Sequence, residues 1–192
     1  MSEAAAPPVG AHVKIPSGLN TLADLLENSF EKFADSRSYT CGNLSLSFAE
    51  IDQKSHALAC WLQQESGLKE GDRVAIQLPN LIQYPIAAYA ILRAGMVIVN
   101  TNPLYTPPEM QHQFKNSGAK AVIILQEHLD KLEQIQDQTN IQTVIVTDSD
   151  DLDVGDTRNI QDGHVGFTQA IEAGSDLTLQ ARTAKMSDIC LL

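Results

Sequence analysis

The chain has no apolar run long enough to cross a bilayer. The longest, Tyr84 to Leu92, meets Arg93 and Gly95 well short of the roughly 20 residues a spanning helix needs. Cysteine is scarce. Cys41, Cys60 and Cys190 are odd in number, far apart and in no C-x-x-C pair, which excludes a disulfide framework and points to a reducing compartment. Each reads as a small buried side chain. Basic charge is also short, with 13 Lys and Arg against 24 Asp and Glu and a net charge of -11. Nucleic acid is thereby excluded as a partner, because phosphate binding needs clustered cations. Met1 to Gly10 lacks the basic start and apolar centre of a secretory signal. Residues 1–18 read as a disordered lead-in, and 19–192 as part of one domain.

Phosphate and metal fingerprints are missing too. No strand is followed by G-x-G-x-x-G, and neither G-x-x-x-x-G-K-[ST] nor G-x-S-x-G occurs. His12, His56, His112, His128 and His164 have no ligand spacing. Asp148, Asp150, Asp151, Asp153 and Asp156 crowd one stretch, but the Gly and final Glu of a calcium loop are not in register. That stretch reads as a solvated loop.

What is present is pattern. Leu22, Leu25, Leu26, Phe30 and Phe33 recur at helical spacing behind Asn20 and Thr21, predicting a capped helix to about Ala34. Tyr39–Cys41 and Leu44–Ser47 predict two short strands about Gly42-Asn43. Ser47 and Glu50 form a capping box opening a helix that carries Phe48, Ile51, Leu58 and Leu62 inward and stops before Gly67.

From Gly71 strand and helix alternate. Strands are predicted at Arg73–Leu78, Met96–Asn100, Ala121–Leu125 and Thr143–Thr147. Helices are predicted at Tyr84–Arg93, from Thr106 to Gly118, and about Leu129, Leu132 and Ile135. The strands are Val, Ile and Leu without polar alternation, as in a parallel sheet covered on both faces. The fold class is therefore α/β, a doubly wound, mostly parallel sheet with flanking helices. Phe167 to Ala173 suggests a short helix, and Ser187 to Leu192 the opening of a strand, leaving a raw apolar edge where the chain stops. On residues alone this is an α/β domain of unassigned function.

Leu46-Ser47-Phe48-Ala49-Glu50-Ile51 resembles the first core motif of the adenylate-forming superfamily, L-[TS]-[YF]-x-E-L. Gly71-Asp72-Arg73-Val74-Ala75 resembles its G-D-x-V-A, and Ile91-Leu92-Arg93-Ala94-Gly95 its L-[KR]-A-G. Asn100-Thr101-Asn102-Pro103-Leu104-Tyr105-Thr106 is similar to the N-x-N-P-L-Y-T of bacterial long-chain fatty-acid:CoA ligases, as is Pro79-Asn80 with the residues after it. Each motif alone is weak; their order over Leu22 to Thr147 is what carries the resemblance.

The resemblance implies the first subdomain of the adenylate-forming fold, cut before the phosphate loop. In the whole enzyme it implies ATP, magnesium and CoA, with a fatty acid joined to CoA through an acyl-adenylate. It implies a cytoplasmic protein and leaves room for a homodimer and for peripheral contact with the inner face of the membrane. No position here matches a catalytic, cofactor-binding or metal residue of the family, so this piece alone is expected to be inactive and to bind no cofactor tightly. Asn100, Asn102, Tyr84 and Tyr105 are the substrate-edge candidates: Asn100 and Asn102 lie, with Pro103, at the carboxyl end of a strand where α/β folds place ligands, and Tyr84 and Tyr105 could border an acyl site. Turn chemistry for the Asn residues and packing for the tyrosines are the favoured readings over a substrate role. Two alternatives remain: a stand-alone binding or interaction module derived from this fold, and a different nucleotide-dependent α/β enzyme.

Overall fold

Strands rich in Val and Ile on both faces need an apolar layer above and below, and that requirement shapes the molecule. The computed structural model describes residues 18–154, 160 and 163–192; the expected lead-in up to residue 17 and Asp156 of the acidic stretch lie outside the described residues. The chain opens with α1 (Leu22–Lys32), the hairpin β1 (Arg37–Cys41) and β2 (Leu44–Ser47), and the long α2 (Phe48–Gln64). Then follow β3 (Arg73–Gln77), α3 (Gln83–Arg93), β4 (Val97–Asn100), α4 (Pro107–Ser117), β5 (Ala121–Leu125) and α5 (Leu129–Glu133). The described chain continues through β6 (Thr143–Thr147), α6 (Asp151–Val154), β7 (His164–Gly166) and α7 (Phe167–Gly174).

The larger sheet has five parallel strands in the order β4-β3-β5-β6-β7. Chain order reverses between β3 and β5, which makes that pair the topological switch point of a doubly wound sheet. Side chains alternate between two cores. Val74, Ile76, Ile98, Ile123 and Ile145 pack with α2, α3 and α7, while Ala75, Val99, Val122, Val144 and Val146 pack with α4 and α5. α1 and the hairpin form an outer layer against α2 and α3, with Phe30 reaching the first core.

Local chemistry starts and stops these elements as expected. The Thr21 hydroxyl accepts from Asp24 N and the Asp24 carboxylate accepts from Thr21 N, closing a capping box on α1. Ser47 and Glu50 do the same for α2. At α4 the Glu109 carboxylate accepts from Thr106 N and Oγ1 at 2.8 and 2.7 Å. Gly118 ends α4 at φ +66°, where a Cβ would be strained.

Several expectations need correction. Cys60 is buried, but Cys41 and Cys190 are only half-buried, because they lie on the hairpin and on the terminal segment rather than in the sheet core. Leu22, Leu25 and Phe33 of the α1 stripe are 40–44% exposed, since α1 sits on the outside of the helix layer and offers mainly Ala23 and Phe30 inward. The expected helix through Ile135 stops at Glu133 and gives way to a 3-10 turn at Gln136–Gln138; Leu129, Leu132 and Ile135 are nevertheless all buried. β7 carries no Val/Ile run and was not foreseen. Ser187–Leu192 does approach as a strand: Leu191 bridges Ile98 in parallel, and Leu192 N donates to Ile98 O at 2.8 Å.

Candidate functional site

The carboxyl ends of β3 and β4 face a cleft of about 690 Å³ bordered by Asn80, Tyr84, Asn100, Thr101, Asn102 and Tyr105. All four residues singled out from sequence are thus brought together. β4 delivers Asn100 at its last position, and the following loop turns Asn102 and Tyr105 back over the same opening. Tyr84 comes from the first turn of α3.

Hydrogen bonds explain the geometry. Tyr84 OH donates to Asn100 Oδ1 at 3.2 Å. Burial pushes the Tyr84 phenol upward, so it stays a neutral donor at neutral pH. Asn102 Oδ1 accepts from Leu104 N at 3.0 Å, the side-chain-to-backbone turn that Asn favours. The backbone between them is anchored: Thr101 N donates to Ile76 O at 3.0 Å, and Gln113 Nε2 of α4 donates to Asn100 O at 2.9 Å. The turn reading therefore holds for Asn102, and Tyr105 packs partly against the second core. Asn100 and Tyr84 keep their polar groups at the cleft.

Behind Tyr84 lies a second, more apolar recess of about 360 Å³, bordered by Tyr39, Cys41, Leu81, Ala88 and Tyr89. Asn80 and Tyr84 line both spaces, so they separate a polar opening from an apolar one. Tyr39 OH and Tyr89 OH are 2.5 Å apart, and burial, then that bond, drives the Tyr89 phenol upward.

Two residues that line the cleft, Asn80 and Thr101, and two that donate to the backbone of its lining residues, Gln77 to Asn102 O and Gln113 to Asn100 O, were not singled out as site positions. Asn80 and Thr101 lay inside quoted motifs, but neither type stands out beside a Pro or an Asn. Gln77 is fully buried and Gln113 half-buried, and each has a buried Oε1 with no hydrogen-bond partner. A Gln closing an apolar strand, and a Gln one position before buried Phe114, were the signals available.

Among the described residues the lining carries no Lys, Arg or carboxylate. Such a surface can orient a ligand through amides and phenols, but it has no charge with which to hold a phosphate chain or a magnesium ion. Among the described residues no group of three or more His, Cys, Asp or Glu is placed to hold a metal, and no helix is long and apolar enough to cross a membrane.

Comparison with known proteins gives this arrangement a family. The long-chain-fatty-acid–CoA ligase of Escherichia coli O6:H1 is 45% identical over 132 residues, covering 69% of this chain and 24% of that protein. The ligase of the same name from Bacillus subtilis is 32% identical over 134 residues, 70% of this chain and 24% of that one. The chain thus spans about a quarter of the length of these curated relatives. Among solved structures, a benzoate CoA ligase from Burkholderia xenovorans LB400 superposes with a TM-score of 0.75 at 22% identity, over 90% of this chain and 32% of that one. A long-chain-fatty-acid-CoA ligase from Archaeoglobus fulgidus gives 0.70 at 20%, over 94% and 36%. These two share the fold. Residues 26–192 match the AMP-binding enzyme family, and the chain belongs to it.

Proposed function

We propose that this chain is the N-terminal part of a long-chain fatty-acid:CoA ligase, which converts ATP, a fatty acid and CoA to acyl-CoA, AMP and pyrophosphate through an acyl-adenylate. The observation that carries the reading is the 45% identity over 132 residues to a ligase of that name.

The residues present do not fit the whole reaction. Transfer at phosphorus needs cations and amides aimed at the developing charge. Among the described residues the polar groups lining the cleft are neutral amides, phenols and the Thr101 hydroxyl, so in this reading ATP, magnesium and CoA belong to the longer protein and the 192-residue piece is inactive. Its role is scaffold and substrate border: Asn100 and Tyr84 edge the polar opening, with Asn102 and Tyr105 shaping the loop. The longer protein is cytoplasmic, with peripheral membrane contact and a homodimer as parts of the same proposal.

The test is a coupled assay for AMP release with a long-chain fatty acid, ATP, magnesium and CoA. The longer protein should turn over and the 192-residue chain should not. Turnover by the short chain would overturn the assignment of roles, and no turnover by the longer protein would overturn the function.

A further inference from the structure

The segment from Thr178 to Lys185 has no helix or strand of its own, yet side chains from three other regions grip it. Gln63 and Gln180 bond reciprocally, Gln63 Nε2 to Gln180 O at 3.3 Å and Gln180 N to Gln63 Oε1 at 2.9 Å. Gln64 Nε2 donates to Thr178 O at 3.0 Å. The Arg182 guanidinium reaches α1, donating to Glu27 Oε1 and Oε2 at 3.1 and 2.9 Å and also to Asp24. Hydrogen bonds with Glu27, outweighing burial, raise the Arg182 pKa, so it stays charged.

The closing grip is Glu70. Its carboxylate accepts from Thr183 N at 2.6 Å, Thr183 Oγ1 at 2.9 Å and Ala184 N at 2.9 Å. Three donors on one carboxylate make a directional latch. Gly95 makes room for it: a Cβ there would stand 2.8 Å from Glu70 Cγ and Oε1, and Gly95 already has φ +74°. The last residue of the Arg93-Ala94-Gly95 motif thus serves two ends, the turn into β4 and the seat of Glu70.

Beyond the latch the chain runs to the open edge of β4. Ile98 N donates to Cys190 O at 3.0 Å and Asn100 N to Leu192 O at 3.2 Å. Because this pairing is parallel, Leu192 arrives beside Asn100, at the carboxyl end where the cleft opens. The pairing is short, and Ile189, Leu191 and Leu192 are 50–66% exposed, so packing does little to fix its register.

We infer that Glu70 and Arg182 are positioning residues, a two-point latch that sets the register of the terminal strand on β4 and so aims its end at the Asn100 cleft. They touch no reacting group; they act through the Thr178–Lys185 strap. The inference rests on contacts within this chain and does not need the ligase reading.

Amide hydrogen exchange on the chain tests it, residue by residue. Glu70→Ala and Arg182→Gln should each cut protection at the Ile98, Asn100 and Leu192 amides about tenfold, while Ile123 and Ile145 change less than about twofold, the pattern of a local opening. Glu70→Gln, which keeps one acceptor oxygen, should recover part of the protection. An equal loss at Ile123 and Ile145 would make both residues general stabilisers and overturn the inference, as would unchanged protection at Ile98 and Asn100. In the longer protein, Glu70→Ala should lower kcat about tenfold with KM for the fatty acid unchanged, as expected when geometry and not binding is lost. Absence of activity in the unsubstituted longer protein, with the exchange pattern intact, would count against the ligase reading alone.

Discussion

Gly174 of α7 lies against the main chain of α2 so closely that a β-carbon on it would stand 1.9 Å from the Ala57 carbonyl oxygen. No side chain fits there, and the obstacle is backbone. Gly174→Ala gains about 1 kcal/mol of helix propensity but forces the two helices apart, and overpacking of this kind costs about 3 kcal/mol. The net expectation is clear destabilisation, read from the urea midpoint. A midpoint at or above that of the unsubstituted chain would show that α2 and α7 do not touch this way.

Arg93 is 4% exposed and joins three helices. It donates to Asp52 O at 2.8 Å, Ser55 Oγ at 3.0 Å and Glu27 Oε1 at 3.3 Å, pairs with the Asp52 carboxylate, and lies over the Phe30 ring. The two carboxylates can turn toward water when the cation is removed, so Arg93→Met should cost about 3 kcal/mol, the lower end for a broken buried pair. Arg93→Lys should restore less than half, because an ammonium cannot reach all of these partners. Urea denaturation of both variants checks the pair.

Acid should loosen α1 before the sheet. Burial would raise the Asp24 carboxyl from its ordinary 3.8, but the Asn20 N–H, Arg182 and Thr21 outweigh it and hold it at about 2. The folded form therefore binds this proton less readily than the unfolded one. Its contribution to stability is whole above about pH 4 and is lost as pH falls toward 2. Asp24→Asn should flatten the acid limb of the stability curve in that window and leave its shape above pH 5 unchanged. An identical acid limb would contradict the hold that Asn20, Arg182 and Thr21 together have on Asp24.

At the cleft, Tyr84→Phe removes one partly exposed bond to Asn100 and should change stability by less than about 1 kcal/mol. Asn102→Ala removes the acceptor for Leu104 N and should cost about 1 kcal/mol. If these residues border substrate in the longer protein, Tyr84→Phe should raise KM for the fatty acid more than it lowers kcat. Steady-state kinetics over a fatty-acid series reads this.

Much of the layer order was legible because Ala121–Leu125 and Thr143–Thr147 are short runs rich in Val and Ile, the pattern of strands buried on both faces, and because Thr21, Ser47 and Thr106 each stand three residues before a carboxylate. The exposure of Leu22 and Phe33 was not legible: helical spacing states which side chains share a stripe, not whether anything covers it. β7 escaped because its hydrophobic content is a single Val between His164 and Gly166. At the site, position at a strand end brought out Asn100 and Asn102. The roles of Glu70 and Arg182 depend on partners more than a hundred residues away along the chain, which no local pattern encodes.

The central claim is that this chain is the front of a longer ligase, and reading the native gene beyond codon 192 tests it most directly. The account predicts an open frame that continues into a Thr-, Ser- and Gly-rich loop ending in Lys. A stop codon directly after Leu192 would contradict it and leave the kinship to ligases as ancestry alone.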